Sequence, residues 1–293
     1  MAEAFERFLQ RIDPLLPSRF RADIPVVPVV RLTGIIGFST PLKPGLTLAS
    51  CARLLDRAFS VRNARAVVLS INSPGGSAVQ SHLIYKRIRL LADEKKLPVI
   101  AIVEDVAASG GYMIACAADE IIADGSSIVG SIGVVGGSFG FHRLLEKLGV
   151  ERRLYTSGEH KAMLDPFLPE KADDVERLKG IQREIHESFI ALVQSRRGGK
   201  LDTSNESLFS GEYWTGNRAR ELGLVDGVGD LRSTLRERYG EKVRTPLIAE
   251  RGFFTRRIPG LGASLETMLD RPTFAEEAVS ALEARALWGR YGL

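Results

Sequence analysis

The stretch Val106-Ala107-Ala108-Ser109-Gly110-Gly111-Tyr112 sets one serine among small residues. An apolar run, Leu97 to Val103, precedes it, and a helix-compatible run, Met113 to Ala118, follows it. A serine at a strand-to-helix turn exposes its Oγ where unpaired N–H groups and the positive end of the helix dipole converge. Those are the conditions for a nucleophile beside an oxyanion hole. The same residues also fit a tight turn with a helix cap. A second glycine turn lies upstream. Ala66 to Ile71 reads as a buried strand and Asn72-Ser73-Pro74-Gly75-Gly76 as a turn, and Ser77-Ala78-Val79-Gln80 matches a capping box opening a helix that ends near Lys95. Glycines let a backbone approach a ligand closely and aim N–H groups at it. The chain thus offers two successive strand–glycine turn–helix units, although a pair of ordinary β–α loops has the same spacing.

A serine nucleophile needs a base. None of the four histidines, His82, His142, His160 and His186, stands in a recognisable triad motif. The alternative is a lysine, since Ser-Lys pairs follow the same logic. Such a lysine has to be neutral near pH 7, which requires desolvation or nearby positive charge. Most lysines here lie in charged contexts such as Asp93-Glu94-Lys95-Lys96. Lys161 differs, because it sits in a turn that leads into Ala162-Met163-Leu164-Asp165-Pro166-Phe167.

Asn72 to Gly76, Ala108 to Tyr112, Gly130-Ser131-Ile132-Gly133-Val134, Gly158 to Phe167 and Gly211-Glu212-Tyr213-Trp214-Thr215-Gly216, in this order, resemble the signal peptide peptidase A family of serine peptidases. The resemblance runs over roughly residues 25 to 230 and fits the short, single-repeat form of that family. It implies a Clp protease/crotonase-like α/β fold, a ββα superhelix with a largely parallel sheet, and no metal or other cofactor. It also implies Ser109 as nucleophile, Lys161 as general base, Ser131 as hydrogen-bond partner of the lysine ammonium, and the Gly76 and Gly110 N–H groups as the oxyanion hole. In short-form relatives the serine and lysine of one site come from neighbouring subunits of a ring. The expectation is therefore a homo-oligomer in which Ser109 and Lys161 lie far apart within one chain. The implied substrates are unfolded or signal-peptide-like chains, cut beside small or apolar side chains. Two other readings compete: a crotonase-like acyl-CoA enzyme, which leaves Ser109, Ser131 and Lys161 without a purpose, and a non-catalytic ring that binds peptides.

The elements that must position these residues alternate along the chain. Ile24 to Ile36 and Ile121 to Ala123 read as strands, as do Ile128 to Val135 and Val150 to Tyr155, while Leu46 to Phe59 and Phe141 to Leu148 read as helices. The alternation predicts an α/β fold with a largely parallel sheet. From Lys171 to Arg196, Val175, Leu178, Ile181, Ile185, Phe189 and Leu192 recur at helical spacing, either as a core face or as a subunit contact. Three regions are expected: an N-terminal helical arm over 1–24, a peptidase domain over 25–230 and a C-terminal extension over 231–293. A helix in that extension runs from about Phe274 to Trp288. The basic-apolar stretch from Arg251 onward fits a subunit contact, a substrate gate or a membrane contact equally.

Composition bounds the setting. The chain has 293 residues, 44% of them hydrophobic and 26% charged, which is ordinary for a globular protein. The net charge of +4 and pI of about 9.1 come without a lysine-arginine block, so no nucleic-acid partner is implied. Cys51 and Cys116 lie in apolar surroundings that fit buried thiols better than a disulfide. No Cys/His cluster has metal-ligand spacing and no phosphate-binding glycine loop with its lysine is present. Residues 1–24 carry too many charges for a membrane span and show no signal-peptide core, so a cytoplasmic location is expected. Phe5, Phe8, Leu9 and Ile12 could form one face of a short amphipathic helix, docked on protein or peripherally on the inner membrane.

Overall fold

The computed structural model describes residues 24–37, 45–249 and 285–292. The elements in chain order are β1 (Val29–Thr33), α1 (Leu48–Phe59), β2 (Val67–Ser73), α2 (Ala78–Lys95), β3 (Val99–Ala108), α3 (Gly110–Ala115), β4 (Glu120–Ala123) and β5 (Ile128–Gly130). They continue with α4 (His142–Leu148), α5 (Ala172–Arg197), β6 (Tyr213–Thr215), α6 (Gly216–Glu221), β7 (Gly227–Val228) and α7 (Leu231–Tyr239). The proposed N-terminal arm lies outside the described residues except for its last position, and the helix expected from Phe274 is described only from residue 285.

The strands form a mixed α/β sheet in the order β1-β2-β3-β4-β7, and every pairing along that path is parallel. Strands covered on both faces are buried along their whole length, and β2 and most of β3 follow that pattern. Alternate residues supply two cores. Val67, Leu69 and Ile71 face the side carrying Leu55, Ile84 and Ile88 of α1 and α2. Val68, Ile100 and Ile102 face Leu235 of α7 on the other side.

The long strand β3 serves two neighbours end to end. Its first half pairs with β4 (Val103 opposite Ala123) and its second half with β5 (Ala108 opposite Gly130). Strand β5 in turn pairs antiparallel with β6, Gly130 opposite Tyr213. The end of β3, where Ser109 begins, is thereby gripped by a small second ladder.

Local chemistry explains most boundaries. Thr47 and Ser50 cap α1 with a reciprocal box. At α2, Ser77 accepts from the Gln80 N–H, but the expected return bond is replaced: the Gln80 Oε1 accepts from the Leu48 N–H, tying α2 to the start of α1. The expected strand over Val150 to Tyr155 is irregular chain, since it has no sheet edge beside it to supply a ladder. Strand β5 ends at Gly130 instead of continuing to Val135. The segment from Val135 to His160 is mostly exposed, and α4 buries none of its residues. Only the last part of α5 enters this chain's core, through Phe189, Val193 and Arg197.

Candidate active site

The two glycine turns meet at the end of the central strands. Gly75 lies so close to the second turn that a Cβ on it would stand 2.8 Å from the Ser109 Cβ. Gly76, at φ +139, has the Ile36 carbonyl oxygen 2.2 Å from where a Cβ would be. Both positions therefore exclude any side chain. Ile36 holds this turn from both sides, donating its N–H to the Gly75 carbonyl (2.8 Å) and accepting from the Ser77 N–H (2.8 Å).

Ser109 immediately precedes α3 and takes φ 51, ψ −120, a conformation non-glycine residues rarely adopt. Its N–H donates to the Gly130 carbonyl at 2.8 Å, and its carbonyl accepts from the Met113 N–H at 3.0 Å. Among the described residues its hydroxyl has no hydrogen-bond partner, and no acceptor takes the Gly76 or Gly110 N–H. A half-buried hydroxyl beside two unpaired amides is equipped to attack a carbonyl and hold the resulting oxyanion.

Ser131 is a second serine with left-handed backbone, at φ 54. It is fixed by donation of its N–H to the Glu212 carbonyl (2.6 Å). The carbonyl of the next residue, Ile132, receives the His186 Nε2 of α5 at 3.0 Å. Ser109, Ser131, Gly76 and Gly110 all line one cavity of about 590 Å³. Met113, Val134, Ile185 and Phe189 give it an apolar wall.

Lys161 does not line this cavity. It is exposed in a turn where its N–H donates to the Gly158 carbonyl (3.3 Å). The surrounding arm is stitched to itself. Asp165 pairs with Arg152 (2.6 Å), whose guanidinium lies 4.9 Å from the Phe167 ring centroid, and Phe167 packs on Phe141. The Phe167 N–H and Arg152 hold the Asp165 carboxyl below the usual carboxylate range.

Of the five residues singled out from sequence, the fold thus gathers four and leaves Lys161 outside. It adds residues that sequence reasoning did not place there. His186 sits on the apolar stripe of α5 with no motif around it. Arg290 and Tyr291 reach the cavity from a segment far along the chain.

Residues 92–242 match the family described as Peptidase family S49. The chain is 56% identical over 284 residues to the Na⁺/H⁺ antiporter NhaA of Brucella abortus (strain 2308), covering 95% of this chain and 38% of that protein. It is 35% identical over 213 residues to the chloroplastic serine protease SPPA of Arabidopsis thaliana, covering 70% of this chain and 31% of that protein. A solved structure, a mutant of a membrane-bound stomatin-specific protease, aligns at 19% identity with a TM-score of 0.49, covering 77% of this chain and 98% of that one. The chain spans well under two thirds of the length of these two curated relatives.

Proposed function

Because this chain belongs to peptidase family S49, we propose that it is a serine endopeptidase with Ser109 as nucleophile and Lys161 of a neighbouring copy as general base. The observation that carries this reading is the cavity itself. It collects Ser109, Ser131 and the Gly76 and Gly110 amides, which are unpaired among the described residues, while Lys161 of the same chain stands outside it. A neighbouring copy would fill the gap, and the arm that bears Lys161 exposes Val135, Phe139, Leu148 and Tyr155, apolar side chains suited to burial against another subunit.

In the reaction, the neutral Lys161 amine takes the Ser109 hydroxyl proton as Oγ bonds to the peptide carbonyl carbon. The carbonyl electron pair moves onto oxygen, which accepts from the Gly76 and Gly110 N–H groups. Collapse of this intermediate breaks the C–N bond, and the departing amine takes the proton from the Lys161 ammonium. Water then enters by the same route, giving a carboxylic acid product and restoring Ser109. The Ser131 Oγ accepts from the ammonium and holds it in line. Closure between subunits also removes water, which favours the free amine of a lysine base.

The apolar wall of Met113, Val134, Ile185 and Phe189 suits an extended chain with small or apolar side chains at the cleaved bond. Unfolded or signal-peptide-like segments have that character. The proposal is restricted to peptide hydrolysis. The antiporter name belongs to a protein of which this chain matches 38%, and among the described residues no helix is long and apolar enough to cross a membrane.

Mixing tests the reading. Ser109→Ala and Lys161→Ala chains should each fail to cleave an unfolded protein, and a mixture of the two should recover activity. Two inactive variants that exchange subunits yet never complement would remove the shared dyad. Full activity in Ser109→Ala would remove the nucleophile.

A further inference from the structure

Strand β5 ends at Gly130, and the stretch after it, which lines the cavity through Ser131, Gly133 and Val134, belongs to no ladder. Ile132, inside this stretch, is fully buried, so its carbonyl needs a partner within the protein. Among the described residues no backbone N–H reaches that carbonyl, and its partner is the His186 Nε2 of α5 at 3.0 Å. A carbonyl oxygen only accepts, so Nε2 carries its hydrogen here. That commitment takes Nε2 out of service as a general base. Helix α5 meets the stretch again one turn earlier, since a Cβ on Gly136 would stand 2.8 Å from the Gln182 Nε2. The approach to β6 holds the start of the stretch. There the Ser131 N–H donates to the Glu212 carbonyl at 2.6 Å, and a Cβ on Gly133 would stand 3.0 Å from the Gly211 Cα.

We propose that His186 is a positioning residue of the reaction: it clamps the Ile132 carbonyl, keeps Ser131 at φ 54 and so aims the Ser131 hydroxyl at the lysine ammonium. The proposal rests on the peptidase reading above and deepens it. A non-glycine residue holds a left-handed backbone only where its neighbours over-determine it. For Ser131 the Glu212 carbonyl fixes the N–H, and His186 fixes the carbonyl one residue further on. Without the imidazole donor, the Ile132 carbonyl is left buried and unpaired. Backbone rotation that frees it to find another partner relaxes Ser131 and swings its Oγ out of line. The loss then falls on placement of the ammonium, hence on kcat. His186 also lies beside Ile185 and Phe189 in the cavity lining, where contact with a substrate side chain would act on KM instead.

Cleavage of a fluorogenic peptide would be compared for the full chain and its His186→Ala, His186→Leu and His186→Gln variants. Leucine keeps bulk without a donor, and glutamine brings an N–H near the Nε2 position. The expected result is a kcat about tenfold lower in His186→Ala and His186→Leu, with KM nearly unchanged and most of the rate recovered in His186→Gln. Because His186 acts through Ser131, the same substitutions made on Ser131→Ala should cost little more. A second measurement does not need activity. Hydrogen exchange over residues 131–136 should quicken about tenfold in His186→Ala and His186→Leu and slow again in His186→Gln, while β2 and β3 stay protected. That exchange pattern, with no chain cleaving anything, would keep the clamp on Ser131 and remove the peptidase reading. The proposal is overturned if His186→Leu keeps full rate, if the loss appears in KM, if it is as large on Ser131→Ala as on the parent, or if exchange over 131–136 does not change.

Discussion

Ser109 donates its backbone N–H to the carbonyl of Gly130, 2.8 Å away, and so hangs from the residue that precedes Ser131. Both serines have positive φ, an arrangement that persists only where the surroundings over-determine it. Here the surroundings are the β5–β6 ladder and the Trp214 ring lying against Gly130. The two hydroxyls are thus placed by one rigid unit, and their roles separate by chemistry more than by position.

On the proposed mechanism, Ser131→Ala removes the hydrogen-bond acceptor of the lysine ammonium and leaves the backbone in place. A bond to a charged group is worth about 1.5–3 kcal/mol, so kcat should fall about ten- to a hundredfold with KM nearly unchanged. Steady-state kinetics on a short peptide check this. A rise in KM at constant kcat would instead assign Ser131 to substrate binding.

Gly76→Ala should harm both fold and rate. The new Cβ would meet the Ile36 carbonyl oxygen at 2.2 Å in a φ +139 backbone. Strain of this kind costs about 1–3 kcal/mol, and on the proposed mechanism Gly76 is an oxyanion donor, whose displacement typically costs about 10²–10³ in kcat. Gly137, around which a Cβ would meet nothing within 4 Å, is the control. Gly137→Ala should lie within about 0.5 kcal/mol of the parent in a urea titration.

Asp226 anchors the end of α5 and carries a pH signature. It accepts from Arg197 (2.6 Å), Lys200 (2.6 Å) and the Ile121 N–H (2.8 Å), and Arg197 is only 3% exposed. Burial alone would raise its pKa, but the hydrogen bonds from Arg197, Lys200 and Ile121 outweigh it and hold the carboxyl below the usual carboxylate range. A depressed carboxylate stabilises the fold above its unfolded pKa of about 3.9, and that contribution fades as pH falls through the folded value. Asp226→Asn should therefore cost about 3–5 kcal/mol near pH 7, with the deficit shrinking below about pH 4. Urea unfolding at both pH values decides it, and a deficit that grew on acidification would contradict the assignment.

The two cysteines should be inert in the folded protein. Burial pushes the Cys51 thiol up to about 11 and the Cys116 thiol to about 12, and neither is in a disulfide. The thiolate is the reactive form. A thiol reagent at pH 8 should modify neither cysteine until denaturant is added, and rapid modification of the native chain would show that one of these sites opens.

Much of the fold was legible in the residues because its signals are local. The cap at Ser77, the β-branched runs of β2 and β3 and the glycine turns act over three or four positions. The ordered motifs that resemble signal peptide peptidase A agree with the match to Peptidase family S49. Local reading failed where a partner came from elsewhere. Gln80 has the spacing of a capping box but bonds Leu48, and Val150 to Tyr155 has strand composition but no neighbouring edge.

The sequence by itself determined which turns lack side chains and which serine stands between a strand and a helix, since steric exclusion and capping are properties of adjacent residues. Only the tertiary structure decided who shares the cleft. It set Gly75 against Ser109, hung Ser109 from Gly130, brought in His186 and Tyr291, and left Lys161 outside. Those relations join residues distant along the chain, and they are fixed by how the sheet stacks its ladders, which no spacing of side chains records.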